Sequence, residues 1–194
     1  ENTDAWIMPW SAQGIVEVEA ALQSVKARGL KLFKFGRADF PLPWLQSQAR
    51  AIHTELEDGR GFLMLRGFPV GKYSVADAEI IFWGIGCQLG DAVSQNWRGE
   101  FLAHVIDKGL EHGTRDVRGY ETNAKLFFHN DNGDAVGLFC LQEAMEGGAS
   151  KLVSTAAVYN EILRRHQLPG IVAIVQVGIE YRHFLVGARG TSHQ

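Results

Sequence analysis

A chain of 194 residues, 46% of them hydrophobic, is long enough to bury a core and predicts one domain over residues 1–194. Its formal net charge of −3 and the lack of a Lys/Arg run exclude nucleic acid and anionic membrane surfaces as expected partners. No stretch approaches the roughly 20 apolar residues of a membrane span, and no signal-peptide pattern is visible. Cys87 and Cys140 form no CxxC pair, which favours free thiols in a cytoplasmic protein over a disulfide.

The first ninety residues alternate between helical and strand-like patterns. Apolar spacing, prolines and glycines predict a helix over 11–28, a strand over 30–35, a helix from Pro41 and Pro43 to Leu56, a strand over 61–67, and a helix over 74–89. Ser74 with Asp77 is the expected cap of the helix over 74–89, and Ser154 is the expected cap of a later helix through His166. A polar, glycine-rich stretch follows from 91 to 123, with one short strand predicted over 101–107. Four of its residues are candidates for lining a substrate mouth: Asn96, Trp97, Arg115 and Arg118.

The chemistry is expected in the stretch 125–134, an apolar strand that ends by presenting His129 and Asp131. Residues two apart in a strand point to the same face, so this imidazole and this carboxylate can turn toward one ion. One His and one carboxylate are two of the three ligands of the 2-His-1-carboxylate site that holds non-haem Fe(II). The alternative for the pair alone is an ordinary surface turn after a strand.

The neighbouring segments carry a family resemblance. Phe128-His-Asn-Asp131, the strand over 134–141, Gly147-Gly-Ala-Ser150 and the segment 153–160 occur in the order found in TauD/TfdA-like Fe(II)/2-oxoglutarate-dependent dioxygenases. The same resemblance extends to the strand over 61–67, the helix over 74–89 and the glycine that follows it. It therefore covers about residues 30–166. The resemblance implies a mainly β domain with flanking helices, an α+β arrangement around a double-stranded β-helix (jelly-roll) core that is complete or incomplete.

The resemblance also implies an activity and its cofactors. Such an enzyme uses Fe(II) and 2-oxoglutarate to hydroxylate a small organic molecule, releasing succinate and CO₂. His129 and Asp131 match two metal ligands, and Ser150 matches the hydroxyl residue that binds the 2-oxoglutarate carboxylate. Since an incomplete jelly roll exposes strand edges, self-association into a homo-oligomer or aggregate is also expected.

The third ligand is left open by the sequence. His183, on a predicted strand over 179–186, is the best-placed candidate, although its local motif does not match the family; His166 and His193 are further histidines. Structural roles are expected for His53, His104 and His112. Residues 167–194 show no motif of the family, so the chain is expected to be truncated or to carry a replaced tail. The alternative to an active dioxygenase is therefore a catalytically incompetent relic that acts as a binding module or has no function.

Overall fold

The computed structural model describes residues 4–111, 113, 117–126, 128, 129, 133–144, 150–166 and 182–187 of the chain. Within these residues, helices and strands follow in the order β1 (Ile7–Pro9), α1 (Ala12–Ala27), α2 (Pro43–Glu57), β2 (Phe62–Arg66), α3 (Val75–Leu89), β3 (Ala135–Phe139), α4 (Thr155–His166) and β4 (Arg182–Gly187). Single 3₁₀ turns lie at Val70–Lys72 and Gly119–Glu121. The helices therefore begin and end close to the predicted positions, and β2 and β3 lie in the two predicted apolar runs.

Local capping explains where the helices start. The Ser11 and Ser74 hydroxyls accept hydrogen bonds from the third backbone N–H of their helices, at 2.9 and 3.1 Å. The Ser154 hydroxyl accepts one from Ala157 N at 3.2 Å. Helix α2 has no side-chain cap and instead begins at Pro43, whose missing N–H costs nothing in a first turn. These caps confirm the predicted helix starts at residues 11, 74 and 154.

The four strands form one open, parallel sheet in the order β1-β2-β4-β3. Leu63 and Leu65 of β2 are buried against helices α1, α2 and α3, whereas Phe62, Met64 and Arg66, which point to the opposite face, are half-buried. The core thus lies between one sheet face and three helices. A closed jelly roll is not present in the part of the chain that the structure describes, and that fold stays a prediction.

Three predicted strands are wrong. Residues 30–35 form turns, because Phe33 adopts a left-handed backbone (φ 64°) and Lys34 N donates to Lys31 O. Residues 101–107 are coil, with Val105 and Ile106 exposed. In the metal motif, the described residues 125, 126, 128 and 129 are not in a strand either. Alternating apolar residues predicted the strand over 30–35, and short apolar runs predicted the other two, but only a strand with a neighbour to pair with is stable.

Apolar exposure is concentrated in the second half of the described chain. The buried hydrophobic core is built from residues 10–85. Between residues 93 and 163 of the described chain, fifteen large apolar side chains are exposed: Val93, Trp97, Phe101, Val105, Ile106, Leu110, Leu126, Phe128, Leu138, Leu141, Leu152, Val153, Val158, Ile162 and Leu163. Both cysteines are free thiols, as predicted, and both are half-buried. Among the described helices, none combines the length and apolar character needed to cross a bilayer.

Candidate metal centre

The predicted metal pair lies just before β3. His129 is in an irregular segment and its side chain is exposed, so its imidazole is accessible from solvent. Asp131 lies outside the described residues, and its position relative to His129 stays a prediction. An imidazole two residues before a carboxylate in the sequence is a donor set that suits Fe(II).

Packing fixes the strand that follows this pair. The Phe139 ring of β3 stacks on Phe82 of α3 with centroids 5.4 Å apart, and it contacts Phe68 at 5.9 Å. At the other end of the strand, a methyl group built on Gly133 would lie 3.7 Å from Val93 Cγ2, just beyond the end of α3. The segment that carries the pair therefore leads into a strand anchored on α3.

Ser150 is also accessible. Its side chain is exposed in an irregular segment four residues before the cap of α4. Gly147 and Gly148, predicted to form the turn before it, lie outside the described residues. The structure thus leaves the Ser150 hydroxyl open to a ligand and does not test its role.

The candidate third ligand, His183, is in strand β4, as the sequence predicted for that segment. The backbone of His183 is in register with Phe62 of β2 and Val136 of β3, so it occupies a central position in the sheet. His166 is the last residue of α4, and His193 lies outside the described residues. No three His, Cys, Asp or Glu side chains are grouped to hold a metal in the described part of the chain.

The remaining predicted histidines have structural positions. His53 is exposed on the surface of α2, and His104 Nε2 lies 2.6 Å from Glu79 Oε1 of α3. Both positions agree with the structural roles expected from the sequence. His112 lies outside the described residues.

The loop residues predicted to line a substrate mouth differ in their exposure and contacts. Trp97 is 78% exposed, and its ring lies under the Arg98 guanidinium at 5.2 Å. Asn96 is occupied in shaping the turn, because its amide oxygen accepts from Arg98 N and its amide nitrogen donates to the Glu100 carboxylate. Arg118 lies 5.9 Å above the Tyr120 ring. Arg115 lies outside the described residues.

Sequence reasoning missed Glu121, a buried carboxylate that organises this loop. Glu121 is 8% exposed and accepts hydrogen bonds from Lys108 Nζ at 2.6 Å and Arg118 N at 3.0 Å. These contacts, with the Lys108 hydrogen bond as the largest cause, hold the pKa of the Glu121 carboxyl below its usual range. Its partner lies thirteen residues away in a stretch without periodicity, so no local pattern signals the pair.

Comparison with known proteins gives one family. The model of the taurine catabolism dioxygenase TauD, TfdA family matches residues 26–168. The chain is 29% identical over 185 residues to FR-33289 synthase of Streptomyces rubellomurinus, an alignment that covers 94% of this chain and 54% of the relative. It is 32% identical over 160 residues to the taurine hydroxylase-like protein SAT17 of Stachybotrys chartarum, covering 79% and 42%. The chain therefore spans about half the length of these curated relatives.

Proposed function

Since the chain belongs to the TauD, TfdA family of dioxygenases, as the match over residues 26–168 shows, we propose that it serves a non-haem Fe(II), 2-oxoglutarate-dependent hydroxylation of a small organic molecule. In that reaction 2-oxoglutarate is oxidatively decarboxylated to succinate and CO₂, and one oxygen atom of O₂ enters the substrate as a hydroxyl group. The observation that carries the proposal is the family match across the whole His129–Ser150 segment. The small-molecule partner and the cytoplasmic location belong to the same proposal.

We propose that His129 and Asp131 bind the metal and that Ser150 binds 2-oxoglutarate. We also propose that the complete domain folds as a jelly roll. The exposure of the His129 and Ser150 side chains supports these roles, because a ligand can reach both from solvent. A hydroxyl donates well to a carboxylate, and such a charge-assisted hydrogen bond orients the co-substrate. The segment's attachment to α3 through β3 supplies the rigid support that a metal site needs.

An anaerobic titration tests the assignment. Fe(II) and 2-oxoglutarate are added to the chain while the visible charge-transfer absorption of iron with the keto acid is followed. We expect an absorption band that saturates at about one equivalent, because one site of this donor type binds one metal. His129→Ala should abolish the band, and His53→Ala, which removes an exposed histidine from α2, should retain it.

The outcomes separate the proposal from its alternative. A band that survives in His129→Ala contradicts the metal assignment. A folded chain without any band favours the catalytically incompetent relic or binding module. A band that is lost in His183→Ala as well would identify the third ligand.

A further inference from the structure

A cavity of about 430 Å³ lies beside α3. Its lining comes from three parts of the chain: the turn at 32–34, Glu79 of α3, and the segment 99–104. The volume lies in the range of small-molecule sites, which runs from roughly 300 to 1,000 Å³. Of the described residues proposed for iron and 2-oxoglutarate, neither His129 nor Ser150 lines it.

Aromatic rings form one side of this cavity. Phe33 and Phe101 line it with ring centroids 5.8 Å apart, and Trp83 packs behind both at 5.0 and 5.7 Å. Trp83 is itself held by a 2.9 Å hydrogen bond from its indole N–H to Phe35 O. The rings are therefore fixed before any ligand binds.

Phe33 is held in a costly backbone conformation. Its φ is 64°, and Phe33 is the only non-glycine residue with a positive φ in the described chain. Such a conformation is strained for a residue with a side chain, and strained residues of this kind concentrate at ligand sites. Here the conformation places the ring edge-on against Trp83 and turns it into the cavity wall.

The charged side chains of the cavity favour a cation. Glu79 and Glu100 give two negative charges against the single exposed Lys34, and His104 is within 2.6 Å of Glu79. The Glu79 side chain is 27% exposed, so its charge is only partly screened by solvent. A carboxylate beside aromatic faces is the chemistry that recognises an organic ammonium ion.

We propose that this cavity binds a small primary amine in its ammonium form, with its apolar body against Phe33 and Phe101 and its charge beside Glu79. Binding of the amine there requires neither iron nor 2-oxoglutarate.

The test is a titration of the metal-free chain with phenethylammonium, followed through tryptophan fluorescence. We expect saturable binding, and binding weaker by roughly 3- to 10-fold in Glu79→Gln, the size of effect that one partly exposed charge supplies. The glutamine keeps a hydrogen-bond partner for His104. Glu55→Gln, which changes a carboxylate paired with Arg60 at the end of α2, is the matched control and should bind as the wild type does.

Three results would overturn the proposal. They are the absence of saturable binding to the folded chain, equal binding of the uncharged analogue 2-phenylethanol, and unchanged affinity in Glu79→Gln. If Glu79→Gln fails to fold, Glu100→Gln carries the same expectation and the same contradiction. Because no iron is present, loss of the amine site and loss of the proposed dioxygenase function are distinguishable.

Discussion

The ring planes of Phe139 and Phe82 lie within 4° of each other, with centroids 5.4 Å apart, and this contact joins β3 to α3. Phe139 also reaches Phe68, which is fully buried in the core. Most other apolar side chains after residue 93 contribute nothing to that core. The strand next to the proposed metal segment thus contacts the helical core through this aromatic side chain, in addition to its pairing with β4 in the sheet.

Phe139→Ala should therefore destabilise the chain more than its partial exposure suggests. We expect a loss of about 2–3 kcal/mol in the free energy of unfolding, below the usual 3–5 kcal/mol for a fully buried Phe. Urea denaturation followed by circular dichroism measures the change. Phe128→Ala removes a ring that is 68% exposed and should stay within about 0.5 kcal/mol of the wild type. Equal effects of the two variants would contradict the anchoring role of Phe139.

Two glycines in α3 differ in the space that surrounds them. A Cβ on Gly84 would overlap the ring of the fully buried Phe40, whereas a Cβ on Gly86 would meet no atom within 4 Å. Gly84→Ala should destabilise the chain by about 1–3 kcal/mol, since the overlap outweighs the gain in helix propensity. Gly86→Ala should stabilise it by up to about 1 kcal/mol. Thermal melts of both variants test this, and a stabilised Gly84→Ala would show that Phe40 can move aside.

Asp77 should contribute to the loss of stability of the fold in acid, because its pKa is lowered. Hydrogen bonds from Lys26 and Ser74 hold the pKa of its carboxyl below the ordinary value of 3.8. A folded-state pKa below the unfolded one stabilises the fold above the unfolded pKa, and this stabilisation is lost as the pH falls through the folded value. Stability should therefore fall below about pH 4, and Asp77→Asn should flatten that fall.

Denaturation curves between neutral pH and acid measure this dependence. Asp58→Asn, at the exposed end of α2, is the control and should keep the wild-type slope in the same range. An unchanged slope in Asp77→Asn would show that the contact with Lys26 contributes nothing in solution, which is common for exposed ion pairs.

Ser150 gives a test of co-substrate binding. If its hydroxyl donates to the 2-oxoglutarate carboxylate, Ser150→Ala should weaken 2-oxoglutarate binding by roughly 10-fold or more, the value of a hydrogen bond to a charged group. Ser150→Thr retains the hydroxyl and should bind nearly as the wild type does. Isothermal titration with Fe(II) present measures both. Ser47→Ala, at an exposed hydroxyl on α2, controls for loss of a serine elsewhere. Equal affinity in Ser150→Ala would remove Ser150 from the site.

The sequence predicted those elements whose signals are local. Ser11, Ser74 and Ser154 cap helices through neighbours three residues away, so these caps can be recognised from the sequence alone. The family resemblance is confirmed for the same reason, because its motifs are contiguous. The turn at Phe33 was not predictable, since it depends on Trp83, fifty residues later, and the same holds for the Lys108–Glu121 pair. The metal pair itself stays a prediction, with His129 accessible and Asp131 outside the described residues.

The order of the parallel sheet has a consequence for how the chain folds. Strand β4 comes last in the chain but pairs with both β2 and β3, so those two strands have no link in the sheet until β4 is in place. During synthesis, the helical core with β1 and β2 is complete once α3 ends at Leu89, long before β4 begins at Arg182. Closure of such distant contacts is slow. We expect refolding to proceed in two kinetic phases, an early one for the N-terminal core and a late one for the insertion of the final strand.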